Sequence, residues 1–263
     1  RSRGLGDVYK RQKWDWDAFW KNAEMYNESS RCMIEKWDVN CTEHPQVCGA
    51  ALALQREYEF MAAACMDKFM LKTDRRVTKM MLKGYEQDKA ANAPQPKYRC
   101  LVWACPAHYY TNFTYWTQHC WGVTCVNDME AMLSYQPITI GDKEQALADL
   151  VRCYEKMMMR SHTNGGYVNL LDECWKMCEK FHTNIVIMYD HVSCKNVGGL
   201  HGLFEDQARE RGIHLIWIPH DVMDPRTVSR REMREAFSQY MVTVLNEKPL
   251  DPTLLDYEDA LSW

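Results

Sequence analysis

Short apolar stretches that alternate with helical stretches constrain how the second half of this chain can fold. The clearest of them, residues 184–189, is rich in β-branched and apolar residues. Residues 98–104, 122–126 and 213–218 are further strand candidates of the same kind. Strands that alternate with helices indicate βαβ units and a parallel sheet. We therefore expect one small sheet domain over residues 97–246.

The helical stretches between these strands carry recognisable ends. Asp142 is placed to cap a helix over 142–159, and Gly212 is placed to end a helix over 200–211. Ser229 and Glu232 form a capping box that opens a last helix reaching about residue 246. With helices between all the strands, the predicted fold class is α/β, a small doubly wound parallel sheet of flavodoxin-like type.

The segments outside this domain differ from it in composition and in the spacing of their apolar residues. Residues 13–92 repeat apolar and helix-forming side chains at helical spacing, so a helical region precedes the sheet. Residues 247–263 contain two prolines and no strong period, and we interpret them as a tail. Residues 1–12 look like a translated sequencing adapter and are set aside. The natural sequence is then expected to begin near Lys13, within a gene, as a fragment.

Composition argues against several classes of protein. The net charge is −4 and the basic residues are scattered among acids, so we expect no nucleic-acid partner. No apolar run approaches the roughly 18 residues of a membrane span, and no signal peptide is evident, so a cytoplasmic protein without membrane contact is expected. Twelve irregularly spaced cysteines indicate reduced thiols rather than a disulfide scaffold.

Candidate chemistry lies where predicted strands end, because ligands of open parallel sheets bind beyond the carboxyl ends of the strands. Three segments qualify, namely residues 105–108, 190–199 and 219–226. The second is the most suggestive, since Cys194 would lie between a strand end and a helix N-terminus. A helix dipole and Lys195 favour the thiolate there, which is the form that binds iron. The alternative is a buried loop cysteine without a ligand.

Other candidates have plainer interpretations. In the third segment, Asp221, Asp224 and Arg226 form either a polar rim or a turn in which Asp224 caps backbone amides, and we favour the turn. Cys174 and Cys178 share a helix face, but no second pair has zinc-ribbon spacing, so they are expected in the core. Neither a dinucleotide fingerprint nor a phosphate-binding lysine loop is present, so ATP hydrolysis by this chain is not expected.

Four features in residues 165–244, taken together, resemble a known family. They are a turn with two glycines leading into a helix, a strand leading into Ser193, Cys194 and Lys195, a helix ending at Gly212 before the next strand, and a strand leading into 221–226 and a final helix. The stretch is similar to the C-terminal domain of 2-hydroxyacyl-CoA dehydratase and benzoyl-CoA reductase subunits, the family that includes the 2-hydroxyglutaryl-CoA dehydratase D-component.

The resemblance implies a cofactor and partners. Subunits of this family hold a [4Fe–4S] cluster with three cysteines, and Cys194 matches the last of the three. The first two come from an N-terminal α/β domain that the fragment lacks, along with most substrate-handling groups, so no catalytic residue is assigned. The implied partners are a homologous second subunit in a heterodimer, an ATP-dependent iron–sulfur activator protein and an acyl-CoA substrate. The implied chemistry is one-electron reduction of the thioester to a ketyl radical, in an anaerobic cell.

Three alternatives to a dehydratase subunit stay open. The chain could belong to a benzoyl-CoA reductase-type enzyme, which reduces an aromatic ring. It could instead be a non-catalytic subunit that relays electrons or serves as a scaffold. The plainest alternative is a flavodoxin-like binding module in which Cys194 is structural.

Overall fold

The computed structural model describes residues 14–49, 51–52, 68–129, 136–156 and 166–256. Its helices are α1 Trp16–Cys41, α2 Lys68–Ala90, α3 Phe113–Trp121, α4 Lys143–Lys156, α5 Tyr167–Lys180, α6 Lys195–Gly198, α7 His201–Arg211 and α8 Arg230–Thr243. Its strands are β1 Tyr98–Trp103, β2 Val123–Asp128, β3 Ile185–His191 and β4 His214–His220. The predicted adapter segment 1–12 and most of the predicted helix over residues 50–70 lie outside the described residues.

The four strands form one parallel sheet in the order β2-β1-β3-β4. This confirms the predicted α/β fold with a parallel sheet. The prediction ended β3 and β4 two residues early, because their last residues are polar or proline. The two strands nevertheless stay paired as far as His191, which lies opposite His220. They therefore bring polar side chains to the carboxyl edge of the sheet.

Two pairs of helices cover the sheet. On one side α3 meets α8, where the rings of Phe113 and Phe237 are 5.8 Å apart. On the other α5 meets α7, where the rings of Trp175 and Phe204 are also 5.8 Å apart. Right-handed crossovers place these pairs on opposite faces for this strand order. The strand side chains between them, such as Ile187, are fully buried, as a doubly wound sheet requires.

The predicted helix ends are confirmed. The Asp142 carboxylate accepts the backbone N–H groups of Glu144 and Gln145, at 3.1 and 3.0 Å. Ser229 and Glu232 form the complete capping box of α8. Gly212 ends α7 with a φ of 65°, a left-handed conformation that glycine adopts without strain. Local chemistry therefore fixes where these helices begin and end.

The helical region is joined to the sheet through the end of α1. The Asn40 side-chain amide donates to the carbonyl of Val126 in β2, at 3.0 Å. From β1, the Arg99 guanidinium donates to the carbonyls of Asn40, Thr42 and Phe181, at 2.5, 2.8 and 2.9 Å. The last turn of α1, the end of α5 and strand β1 are thus held by one side chain.

Residues 247–256, the described part of the predicted tail, pack on the sheet domain. The backbone N–H of Leu250 donates to the carbonyl of Cys120 at 2.7 Å, and the Trp116 indole donates to the carbonyl of Leu254 at 3.0 Å. The Tyr98 hydroxyl donates to the Glu247 carboxylate at 2.6 Å, which raises the pKa of Tyr98 to about 12. Backbone hydrogen bonds, which have no signature in composition, hold this segment.

An ion pair joins α1 to α2 out of contact with water. The Lys36 ammonium lies 2.6 Å from the Asp74 carboxylate, and both side chains are almost fully buried. The Ser29 hydroxyl donates to the second oxygen of the same carboxylate, at 2.7 Å. A buried charge of either sign is costly when it is unpaired, so the two helices depend on both partners.

Replacing Lys36 by Met should destabilise the protein by about 3–5 kcal/mol, because it leaves the buried Asp74 carboxylate without its countercharge. Urea unfolding followed by circular dichroism measures the change. The combined variant Lys36→Met, Asp74→Leu should recover most of the loss. As a matched control, Arg231→Met breaks an exposed ion pair and should leave the midpoint unchanged. An unchanged midpoint for Lys36→Met alone would contradict the interpretation.

Candidate functional site

The three predicted strand-end segments meet at one edge of the sheet. The backbone N–H of His108, after β1, donates to the carbonyl of Val222, after β4, at 2.8 Å. The backbone N–H of Val192, after β3, donates to the carbonyl of His220 at 3.1 Å. The chain reverses its strand order between β1 and β3, and such a reversal opens a crevice in which ligands bind. This carboxyl edge is therefore the candidate site.

Cys194 lies at this edge, between β3 and the short helix α6, as the sequence analysis predicted. Its backbone N–H donates to the carbonyl of His191 at 2.9 Å, which closes the turn after the strand. Its thiol is partly exposed and makes no capping hydrogen bond. At Gly198, four residues further on, no heavy atom apart from those of its chain neighbours and its own helix backbone lies within 4 Å of the place where a Cβ would be, so the space beside the backbone is open. The thiol is thus accessible to a ligand.

The surroundings of Cys194 fit one ligand of an iron–sulfur cluster but not a complete site. Within the described ranges, no three His, Cys, Asp or Glu side chains are grouped to hold a metal ion. A partly exposed cysteine in a strand-end loop is suitable as a single thiolate ligand. The other ligands would have to come from outside the described residues, as the family's ligand set implies.

Most other described cysteines belong to the core. Cys174 and Cys178 are 0% and 2% exposed, which confirms the prediction that they lie in the core. Burial raises the pKa of Cys120 to about 11, so its thiol stays protonated. Cys41 is partly exposed in the helical region, and Cys65 lies outside the described residues.

The segment after β4 is a turn, as favoured above. The Asp221 carboxylate accepts the backbone N–H groups of Met223 and Asp224, both at 2.8 Å. Asp224 accepts from the Arg226 guanidinium at 2.6 Å, and this hydrogen bond lowers the pKa of Asp224 to about 2. These charges are used locally to shape the turn that closes one side of the edge.

His220 forms a buried, neutral floor beneath the edge. It is 1% exposed, and its ring lies 5.0 Å from the ring of Tyr189. Burial is the main cause that lowers the pKa of His220 to about 4, and the neighbouring charge of His191 adds to it. The backbones of Asp190 and Cys105 act on the ring in the opposite direction. His220 lies in the third candidate segment, and no local sequence pattern indicates its burial.

A second group of polar side chains at the edge, formed around His201 and Asp190, was not predicted from the sequence. The Nε2 atom of His201 lies 3.3 Å from the Asp190 carboxylate, and the His201 ring stacks on Trp217 at 3.6 Å. The Trp217 indole in turn donates to Glu205 at 2.6 Å. The sequence gives these residues no shared motif. They meet because β3 and β4 are in register and α7 begins beside them.

The segment after β1 holds a cysteine–histidine pair. The Sγ atom of Cys105 lies 3.8 Å from Nε2 of His108, within hydrogen-bond reach for sulfur. Ala104, just before it, has a φ of 67°, which is unusual for a residue other than glycine. The sequence analysis named this segment but not the pair, for which the Cys-x-x-His spacing was the available signal.

The described residues thus form an open parallel α/β sheet with an accessible cysteine at the edge where its strand order reverses. The family model described as 2-hydroxyglutaryl-CoA dehydratase, D-component, matches residues 5–241 of the 263. The chain belongs to this family, which confirms the resemblance seen in the sequence. No curated protein matches the chain. None of the helices in the described residues is both long enough and apolar enough to cross a membrane.

The depressed pKa of His220 makes stability depend on pH. An unfolded histidine binds a proton near pH 6.5, whereas the folded one binds it near pH 4. Its neutral form therefore supports the fold above about pH 6.5, and this support is lost as the pH falls toward 4. Between pH 7 and 5, the wild type should lose about 1–2 kcal/mol more unfolding free energy than His220→Phe. Urea unfolding at both pH values measures this difference, and His119→Phe at an exposed helix position should behave like the wild type.

The backbone at Ala104 generates another expectation. A left-handed conformation costs a residue with a Cβ about 1–2 kcal/mol, while glycine adopts it freely. Ala104→Gly should therefore raise the unfolding free energy by roughly 0.5–1 kcal/mol in thermal or urea unfolding. Ala107→Gly is the matched control, since Ala107 has a φ of −70° and should only lose stability. Equal losses in both variants would contradict a strained Ala104.

Proposed function

We propose that this chain is a subunit of an oxygen-sensitive [4Fe–4S] 2-hydroxyacyl-CoA dehydratase and that Cys194 is one thiolate ligand of the cluster. The family match supports a dehydratase-type subunit. The observation that carries the cluster assignment is the partly exposed Cys194, three residues after the end of β3 at the carboxyl edge of the sheet. The proposed reaction is loss of water from a 2-hydroxyacyl-CoA.

In this proposal, the residues of this chain position Cys194 and exclude water from the space beneath it. The hydrogen bond from the Cys194 N–H to His191 and the pairing of Val192 with His220 hold the cysteine loop against two strands. Beneath it, Tyr189 and His220 are 2% and 1% exposed, so the floor of the edge excludes water. A strongly reducing centre needs such protection from solvent. The chemistry that a bound cluster supplies in this proposal is one-electron reduction of the thioester to a ketyl radical.

The proposal includes partners, because one cysteine does not complete a cluster site. The two further cysteines are assigned to an N-terminal domain beyond this fragment. A homologous second subunit completes a heterodimer, and an ATP-dependent iron–sulfur activator delivers the electron. Such chemistry is sensitive to oxygen, so the proposed setting is the cytoplasm of an anaerobic cell.

Cys194→Ala, made in the protein with its upstream coding sequence restored and purified anaerobically, should lose most of its iron and acid-labile sulfide. The physical reason is the loss of one of three thiolate ligands. Metal analysis and electron paramagnetic resonance of the reduced protein measure the change. Cys41→Ala, at another partly exposed cysteine, is the matched control and should keep the wild-type content. Undiminished iron in Cys194→Ala would overturn the assignment.

Turnover assays decide the reaction class. With the activator, the partner subunit and ATP, the complex should release water from a 2-hydroxyacyl-CoA. If the complex instead reduced benzoyl-CoA and released no water from a 2-hydroxyacyl-CoA, the chain would belong to a benzoyl-CoA reductase-type enzyme.

A further inference from the structure

The Cys105–His108 pair is the nucleophilic group that the proposed cluster site does not use. Its Sγ and Nε2 atoms are 3.8 Å apart, and both side chains are partly exposed. A thiol and an imidazole within hydrogen-bond reach are the arrangement that activates a cysteine nucleophile, because the imidazole can take the thiol proton. The pair lies in the segment after β1, at the edge where ligands of such sheets bind.

The segment that carries the pair is held firmly. The backbone N–H of His108 donates to Val222, and the next residue, Tyr109, donates its hydroxyl to the carbonyl of Val228 at 2.5 Å. The Arg230 guanidinium donates back to the carbonyl of Tyr109 at 2.7 Å. These contacts fix the backbone of the segment relative to the sheet, so the positions from which Cys105 and His108 extend are set before any ligand arrives.

A buried polar group lies beneath the same segment. The ring of His220 is 99% buried and lies against the backbone of Cys105. Neither of its nitrogens makes a hydrogen bond of normal geometry among the described residues, although the backbones of Asp190 and Cys105 lie close enough to act on the ring as weak acceptors. Buried polar atoms are normally well paired, so this weakly paired ring beside a nucleophile leaves hydrogen-bonding capacity for a polar ligand atom.

Cys105 also differs from most thiols in the chain. Cys120, Cys125 and Cys174 are fully buried, and their raised pKa values keep them protonated. Cys41 is partly exposed, but burial raises its pKa as well. Cys105 combines partial exposure with an imidazole neighbour, and these are the two conditions for a reactive cysteine.

We propose that Cys105 is a nucleophilic thiol, that His108 is its base, and that the thiol accepts the acyl group of an acyl-CoA thioester. The choice of a CoA thioester rests on the proposed function, whereas the reactivity of the thiol does not. Acyl attachment at this position would hold the acyl group at the carboxyl edge of the sheet.

The transfer of the acyl group from CoA to Cys105 needs no oxidant or reductant. The His108 imidazole takes the proton of Cys105, and the thiolate attacks the thioester carbonyl carbon. A bond forms between Sγ and the acyl carbon, and the bond from that carbon to the CoA sulfur breaks. The CoA thiolate leaves and takes the proton from the His108 imidazolium, so the products are acyl-Cys105 and free CoA.

The first experiment measures thiol reactivity in the chain as given, near pH 7. Limited alkylation with iodoacetamide, mapped to each cysteine by mass spectrometry, should modify Cys105 about 10-fold faster than Cys41, since thiolate fraction governs the rate. His108→Gln should slow Cys105 by about the same factor. His119→Gln, at an exposed helix position, should not. An alkylation rate at Cys105 equal to that at Cys41 would overturn the assignment of Cys105 as a nucleophile.

The second experiment tests the acyl acceptor. The chain is incubated with acetyl-CoA or benzoyl-CoA and then analysed by intact mass and peptide mapping. The expected result is one hydroxylamine-sensitive acyl group on Cys105, absent in Cys105→Ser and retained in Cys194→Ala. Fast alkylation of Cys105 without acyl transfer to it would overturn the proposal that this thiol accepts an acyl group from a CoA thioester. Because iron content reads out Cys194 and acylation reads out Cys105, failure of one proposal is distinguishable from failure of the other.

Discussion

The pairing of β3 with both of its neighbours is the constraint on which the rest of the structure depends. Because β1, β3 and β4 are parallel and in register, their carboxyl ends reach the same edge. Cys105, Cys194 and Asp221 are far apart in the chain, yet each follows one of these three strands. A slip of one residue in β3 would move each of its buried side chains to the opposite face of the sheet. The position of every candidate residue at the edge therefore depends on burial in the middle of the sheet.

Much of this fold could be predicted from local sequence chemistry. Apolar β-branched runs located the strands, and Asp142, Gly212 and Ser229 located helix ends, because each acts through neighbours within a few residues. The packing of residues 247–256 and the ion pair of Lys36 with Asp74 could not be predicted in this way. Their partners are separated by tens of residues or more, and no periodicity encodes such contacts.

The candidate site was predictable in a similarly uneven way. The place of Cys194 followed from the strand–loop–helix order, and the turn at Asp224 followed from short-range carboxylate hydrogen bonds. The burial of His220 and the meeting of Asp190 with His201 depend on the register of β3 with β4, so they appear only in three dimensions. The family match covers residues 5–241, and this range includes Cys194 at the carboxyl edge of the sheet.

The Arg99 side chain has a consequence for how the molecule unfolds. Its guanidinium binds carbonyls at the end of α1 and at the end of α5, while its backbone belongs to β1. Arg99 is partly buried, and burial lowers the pKa of its guanidinium. If α1 detached, this cation would lose two of its three carbonyl acceptors at once. Local opening of α1 is therefore coupled to the sheet through a side chain that belongs to β1.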